Sequence, residues 1–319
     1  MTTWVIGRGG LLGSAIDRRI ARDHGAATTF TAASIPWADP QAAGQALQTE
    51  YQRFRSSAGS GPWRILWAAG AATVSTPADQ AQSELRPLEA LLAAIRAAPP
   101  AGPGVFFMTS SAGGVYAGSR NPPFTEDTDP APLSPYGELK LAQEASATGQ
   151  LSGTCSVVIG RFSNLYGPGQ NLSKLQGLIS RLALSSITQQ PISIFVPLDT
   201  IRDYIYVDDA AGAALELTQQ AQDDQEASSR IAIIASGQPA TVGQVIHTMG
   251  HVARRRIPVA YGSHPSAGAQ ALDLRLTPSA NVAAPTQLPE GMKSAYQDIL
   301  SRMQASRQRD HQVSPASAG

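Results

Sequence analysis

The 319-residue chain has one cysteine, Cys155, which excludes an internal disulfide. That residue opens an apolar run ending at Gly160 and reads as a strand residue rather than a nucleophile. Lysine is nearly as scarce, occurring only at Lys140, Lys174 and Lys293. Neither sign of charge predominates, since Lys+Arg and Asp+Glu both number 24, so no nucleic-acid partner is expected. The one basic run, Arg254 to Arg256, reads as a surface turn before Pro258. No apolar stretch nears the ~20 residues a membrane helix needs, and no charged opening is followed by an apolar one. The expectation is a cytoplasmic location with no membrane partner. His247 and His251 have helical i, i+4 spacing, but no glutamate follows the first. With His264 they form no convincing metal set and read as a surface face, so no metal is expected.

What is present is a composition of 42% hydrophobic and 15% charged residues, enough for a large core in one α/β domain or two unequal lobes. Thr3 to Ile6 is a short β-type run that meets Gly7-Arg-Gly-Gly-Leu-Leu-Gly13, followed by a helical pattern to Ile20. Strand, glycine turn and helix are the context of a dinucleotide pyrophosphate site. Gly7, Gly10 and Gly13 permit the turn, the approach to phosphate and the packing of the helix, whose opening residues Leu11 and Leu12 face the anion.

A second strand is expected at Ala27 to Thr31. An NAD site usually ends there in an acid that bonds the ribose, but this chain offers Ala32, Ala33 and Ser34. With Arg8 in the glycine turn, NAD and NADP both remain open. Asp39 should cap a helix from Gln41 to Phe54, and a strand from Arg64 to Ala69 leads to Gly70, where Ala68, Ala69 and Gly70 allow a cofactor close to the backbone. Gln80 to Ala98 is expected to form one long helix stopped by Pro99 and Pro100. Val105 to Met108 is a strand running into hydroxyls at its C-terminal end, and either Ser110 or Ser111 could hold a reacting oxygen there.

Residues 134 to 144 carry the chemistry. Ser134-Pro135 is a helix entry that places Tyr136 and Lys140 on one face. A phenol with a pKa near ~10 is a poor base at neutral pH. A neighbouring ammonium should lower that value, so the pair could take a proton from a hydroxyl or give one to a carbonyl. Eight tyrosines and three lysines in 319 residues produce this spacing by chance with a probability of roughly 0.08. Its weight therefore rests on its surroundings.

Seven segments in order resemble the extended short-chain dehydrogenase/reductase family, particularly its nucleotide-sugar epimerases and dehydratases. They are the turn 7 to 13, Trp67 to Gly70, Ser110 to Tyr116, Pro123 to Asp127, Ser134 to Lys140, Arg161 to Gln170 and Arg202 to Asp209. The resemblance spans roughly residues 3 to 303. It implies a Rossmann-type doubly wound parallel sheet with a smaller C-terminal substrate lobe. It also implies Tyr136 as acid/base, Lys140 as its partner and ribose anchor, Ser111 on the sugar oxygen, and Asn164 and Arg202 on the nucleotide diphosphate. A homodimer through helices 80 to 98 and 136 to 150 is implied as well.

Three departures stand out. Ala112 replaces a usual Ser or Thr, Glu84 occupies a place usually held by Asn, and Ser263-His-Pro-Ser replaces a usual Arg-Pro-Gly-Asp segment.

The expected organisation is a dinucleotide-binding domain at 1–165 completed by 208–236, a substrate lobe from 166–207 and 237–303, and a disordered tail at 304–319. The expected function is an NAD(P)-dependent nucleotide-sugar epimerase. Ala112-Gly113-Gly114 supplies no acid or base for dehydration, which places a dehydratase second. A keto-sugar or carbonyl reductase using external NADPH and a non-catalytic dinucleotide-binding protein are the alternatives.

Overall fold

The structure is a computed structural model that describes residues 1–24, 29–172, 177–224, 227–263, 268–282 and 284–313. The elements in chain order are β1 (Thr2–Ile6), α1 (Leu11–His24), α2 (Pro40–Ala58), β2 (Trp63–Trp67), α3 (Ala78–Ser83), α4 (Leu85–Ala97), β3 (Gly104–Ser111) and α5 (Ala112–Val115). They continue with α6 (Pro135–Leu151), β4 (Ser156–Phe162), β5 (Asn164–Tyr166), α7 (Leu178–Thr188), β6 (Ile192–Ile194), β7 (Ile201–Tyr206) and α8 (Val207–Asp223). The last are β8 (Ser229–Ile234), β9 (Pro239–Thr241), α9 (Val242–Ala253), β10 (Val259–Tyr261), β11 (Asp273–Leu274) and α10 (Leu288–Val313).

The main sheet runs β1-β2-β3-β4-β8 with every pair parallel, and its strands read as near-continuous apolar runs because both faces are covered. On one face, α1 and α8 bring Leu12, Ile16, Ile20, Ala210 and Ala214 onto Val5, Phe107 and Val158. On the other, α2, α4 and α6 bring Leu47, Phe54, Leu88, Leu91 and Ala147 onto Trp4, Ile65, Phe106 and Val157. This is the doubly wound α/β architecture that the sequence implied. A separate apolar cluster joins Tyr166, Leu182, Val245, Met249, Met292 and Ile299, residues carried largely by α7, α9 and α10.

Three expectations change. The second strand shrinks to one bridge, Thr29 to Thr3 on the free side of β1; Ala27 and Thr28 lie outside the described residues. The expected helix 80 to 98 is divided at Glu84 into α3 and α4. Pro87 explains the division, because it has no N–H for the Ser83 carbonyl four residues earlier and its ring crowds that carbonyl. At the C-terminus, α10 continues past Ala305 to Val313, where the sequence suggested disorder. The apolar period does end there, but Gln304 to Val313 holds no proline or glycine, and residues such as Gln, Ala and Arg propagate a helix already nucleated. Residues 314–319 lie outside the described residues.

Candidate active site

The parallel strands β1, β2 and β3 end side by side at Ile6, Trp67 and Ser111, so the segments that follow each one share a single edge of the sheet. With the Thr29 bridge on one side of β1 and β2 on the other, strand order reverses at β1, where such sheets bind ligands.

Gly7 has φ +93°, and a Cβ there would stand 2.6 Å from the Ala68 carbonyl and the Ala69 nitrogen. A Cβ on Gly13 would meet the Gly7 carbonyl oxygen at 2.2 Å, whereas one on Gly9 would find open space. The turn is thus pressed against β2 on one side and open on the other. By helix geometry the amides of Leu11, Leu12 and Gly13 have no carbonyl one turn earlier and face outward from the start of α1, while the Leu12 side chain lies in the core. A cradle of bare backbone donors at a helix N-terminus fits a dinucleotide pyrophosphate.

Two residues considered for cofactor choice behave differently from the sequence expectation. Arg8 is ion-paired to Asp17 at 2.7 Å, so its charge is engaged within α1. Ser34 is exposed on irregular chain, and the neighbouring Ala33 amide donates to Glu50 Oε2 at 3.0 Å. Glu50 is 6% exposed and also accepts from Arg53 at 2.6 Å. A carboxylate therefore does stand beyond the second strand, delivered by α2 from 17 residues away.

Tyr136 and Lys140 lie in the first turns of α6, whose N-cap Ser134 accepts from the Gly137 amide and whose Pro135 sits where no donor is needed. The Lys140 ammonium lies 5.7 Å from the Tyr136 ring centroid and donates to Gln143 Oε1 at 3.1 Å. Ser111, the N-cap of α5, lies within hydrogen-bonding reach of the Tyr136 phenol and accepts from the Gly114 amide. Gly114 must be small, since a Cβ there would touch the Tyr136 ring at 3.0 Å.

Ser110 points the other way. It donates to Glu144, which receives Arg161 through a fork of 3.1 and 2.7 Å, and Arg161 also donates to the Tyr116 hydroxyl at 2.6 Å. Alternation along β3 explains the split: adjacent residues face opposite sides, and only Ser111 faces the phenol.

The expectation that Lys140 lowers the Tyr136 pKa is corrected. Burial pushes the phenol up, the Ser111 bond opposes this, and the Glu84 carboxylate raises it further. Lys140 is itself lowered by burial, against the raising effects of Glu84 and Glu144. Desolvation is the largest influence on both groups.

Asn164 donates to the Asp203 carbonyl at 2.9 Å. Arg202 is nearly buried and donates to the Ile201 carbonyl at 2.8 Å. In the parallel pair β7–β11, Leu274 is registered with Arg202, and Leu274 also lies against Gly113 of α5. That contact brings the Arg202 strand beside the helix that Ser111 opens.

His247 and His251 are exposed on α9 with their Nε2 atoms 2.9 Å apart, beside an open groove of about 910 Å³ also lined by Arg254 and Arg256, apart from the acid/base group. His264 lies outside the described residues, among which no cluster of three metal-type ligands occurs.

Residues 4–232 match the NAD dependent epimerase/dehydratase family. This chain belongs to that family. Among curated relatives of this epimerase/dehydratase chain, dTDP-4-dehydro-6-deoxyglucose reductase of Escherichia coli is 30% identical over 173 residues, 52% of each protein. The dTDP-L-rhamnose 4-epimerase of Burkholderia thailandensis is 35% identical over 97 residues, 29% of this chain and 26% of that one. The matched part thus spans about half the length of the first relative and about a quarter of the second. Among solved structures, UDP-glucose 4-epimerase of Thermus thermophilus in complex with NAD superposes with a TM-score of 0.75 at 20% identity, covering 94% of this chain and 99% of that one. At that identity the likeness establishes the fold.

Glu84 was noticed in the sequence only as a departure. Its proximity to Tyr136 and Lys140 had no local signal, because it is 52 and 56 residues distant along the chain.

Proposed function

We propose that this protein is an NAD-dependent nucleotide-sugar epimerase. The observation that carries the proposal is the convergence of Ser111, Tyr136 and Lys140 at the sheet edge shared with the glycine cradle. The nicotinamide, when bound, supplies a hydride acceptor that can return what it takes. Tyr136 removes the proton of a sugar hydroxyl as its carbon is oxidised, and gives it back when the 4-keto sugar is reduced on its other face. Ser111 orients that oxygen, and Lys140 holds a positive charge beside the phenol and anchors the ribose. Asn164 and Arg202 are assigned to the nucleotide diphosphate, for which an amide and a guanidinium are suited. The cluster of α7, α9 and α10 would form the substrate lobe.

NAD is favoured over NADP because the matched family is NAD dependent and the Glu50 carboxylate stands at Ala33, while Arg8 and Arg53, the cations at that end of the sheet, are ion-paired to Asp17 and Glu50. Titration calorimetry should find tighter binding of NAD⁺ than NADP⁺; the reverse order would overturn that preference. A homodimer through the outward faces of α4 and α6 is also part of the proposal, and light scattering of the purified protein checks it.

The deciding experiment identifies the nucleotide sugar that copurifies by mass spectrometry and assays its epimerisation with Tyr136→Phe. General acid/base catalysis contributes on the order of 10²- to 10⁴-fold, so a loss in that range with NAD⁺ binding intact is expected. Wild-type turnover by the variant would refute the assignment. A second reading, carbonyl reduction, draws on the raised phenol pKa, which keeps Tyr136 a proton donor. Net consumption of added NADH or NADPH distinguishes it, since an epimerase shows none. Dehydration is disfavoured because α5 presents only Ala112, Gly113, Gly114 and Val115 beside the phenol.

A further inference from the structure

Glu84 stands at the α3–α4 junction, half-buried, with its carboxylate turned toward the end of β2. One oxygen, Oε1, accepts the Ala71 amide at 2.8 Å and the Ala72 amide at 2.6 Å. The other, Oε2, converges with Lys140 on Gly70: a Cβ placed on that glycine would lie 3.5 Å from Oε2 and 3.8 Å from Lys140 Nζ. The side chain therefore touches the turn that follows β2 on the cofactor edge and also faces the ammonium of the acid/base pair.

We propose that Glu84 is a positioning residue of the active site, in which one carboxylate oxygen clamps the 70–72 turn and the other serves as the anionic counterpart of Lys140. The inference rests on the reading of Tyr136 and Lys140 given above. Two amides accepted by one charged oxygen fix the turn more firmly than neutral acceptors would. The charge also offsets the burial that disfavours a protonated Lys140, and it acts against ionisation of Tyr136.

The remaining charged groups on the surrounding elements do not substitute for it. Asp79, Arg86 and Glu89 on α3 and α4 are exposed, as is Glu138 on α6. Glu144 on α6 reaches Lys140 electrostatically, but both its oxygens are taken by Arg161 of β4. Removing the Glu84 charge should therefore let Lys140 lose its proton at lower pH, and also let Tyr136 ionise at lower pH.

The scarcity of lysine makes the test direct. With Lys140, Lys174 and Lys293 as the only lysines, biosynthetic ¹³Cε-lysine gives three side-chain signals, and Lys140 is assigned as the one lost in Lys140→Arg. In Glu84→Gln, whose amide oxygen still accepts the clamp bonds as a neutral acceptor, the Lys140 titration midpoint should move to lower pH with a loss of NAD⁺ affinity smaller than that of Glu84→Ala. In Glu84→Ala the same shift should accompany about a tenfold loss of NAD⁺ affinity, the order expected from losing charged hydrogen bonds that order a loop. A Lys140 midpoint that does not move in Glu84→Gln overturns the electrostatic half, and unchanged NAD⁺ affinity in Glu84→Ala overturns the clamp. Neither outcome touches the epimerase reading, which fails instead if Tyr136→Phe keeps its turnover, and the lysine titration needs no substrate.

Discussion

The buried ion pair below Ser110 permits a quantitative test. Arg161 and Glu144 are 3% and 6% exposed, joined by two hydrogen bonds, with Ser110 donating to the carboxylate and Tyr116 accepting from the guanidinium. Removing one partner strands the other charge in a nearly dry site, at a cost of about 3–5 kcal/mol. Glu144→Met and Arg161→Met should each lose that much. The double variant removes both charges together. Its remaining polar debt is small, because the Tyr116 hydroxyl still donates to the Thr125 carbonyl at 3.0 Å and only the Ser110 hydroxyl loses its acceptor, about 1 kcal/mol. The double variant should therefore lie within about 2 kcal/mol of wild type, against about 6–10 kcal/mol if the two single losses added. Urea unfolding followed by tryptophan fluorescence measures all four proteins, with a common m-value as the check that midpoints can be compared. Additive losses would refute the claim that these residues act as one charge-compensated unit.

Two further outcomes follow from the same structure. Gly13→Ala would place a methyl 2.2 Å from the Gly7 carbonyl oxygen, and the forced shift of the turn should weaken NAD⁺ binding about five- to a hundredfold by calorimetry if the about 1–3 kcal/mol of overpacking falls on the bound state; unchanged affinity would contradict the cradle. Burial pushes the Cys155 thiol up to about 12, so at pH 8 only about one molecule in ten thousand is thiolate. Iodoacetamide should leave it unmodified in the folded protein and label it in urea, and labelling of the native state within minutes would show that the site is open.

Local chemistry made much of this protein readable. The strand, glycine turn and helix of residues 3–20 are contiguous, and so are Ser134, Pro135, Tyr136 and Lys140, whose shared face is fixed by helical period alone. Capping was equally legible at Asp39, which accepts the Gln41 and Ala42 amides as expected. The break at Glu84 was available from Pro87, but the run of Leu and Ala that follows suggested one continuous helix.

The amino-acid order by itself made the glycine turn and the tyrosine–lysine face legible, because each depends on residues within a few positions of one another, whereas the doubly wound sheet followed from the resemblance of seven segments spread along the chain. Only the tertiary structure decided that Ser111 and not Ser110 meets the phenol, that Arg8 is spent on Asp17, and that Glu50 and Glu84 deliver carboxylates to amides 17 and about a dozen residues away. It also decided the sign of the Tyr136 shift. A side chain's partner and its desolvation are set by what packs over it from distant parts of the chain, and no local period encodes that.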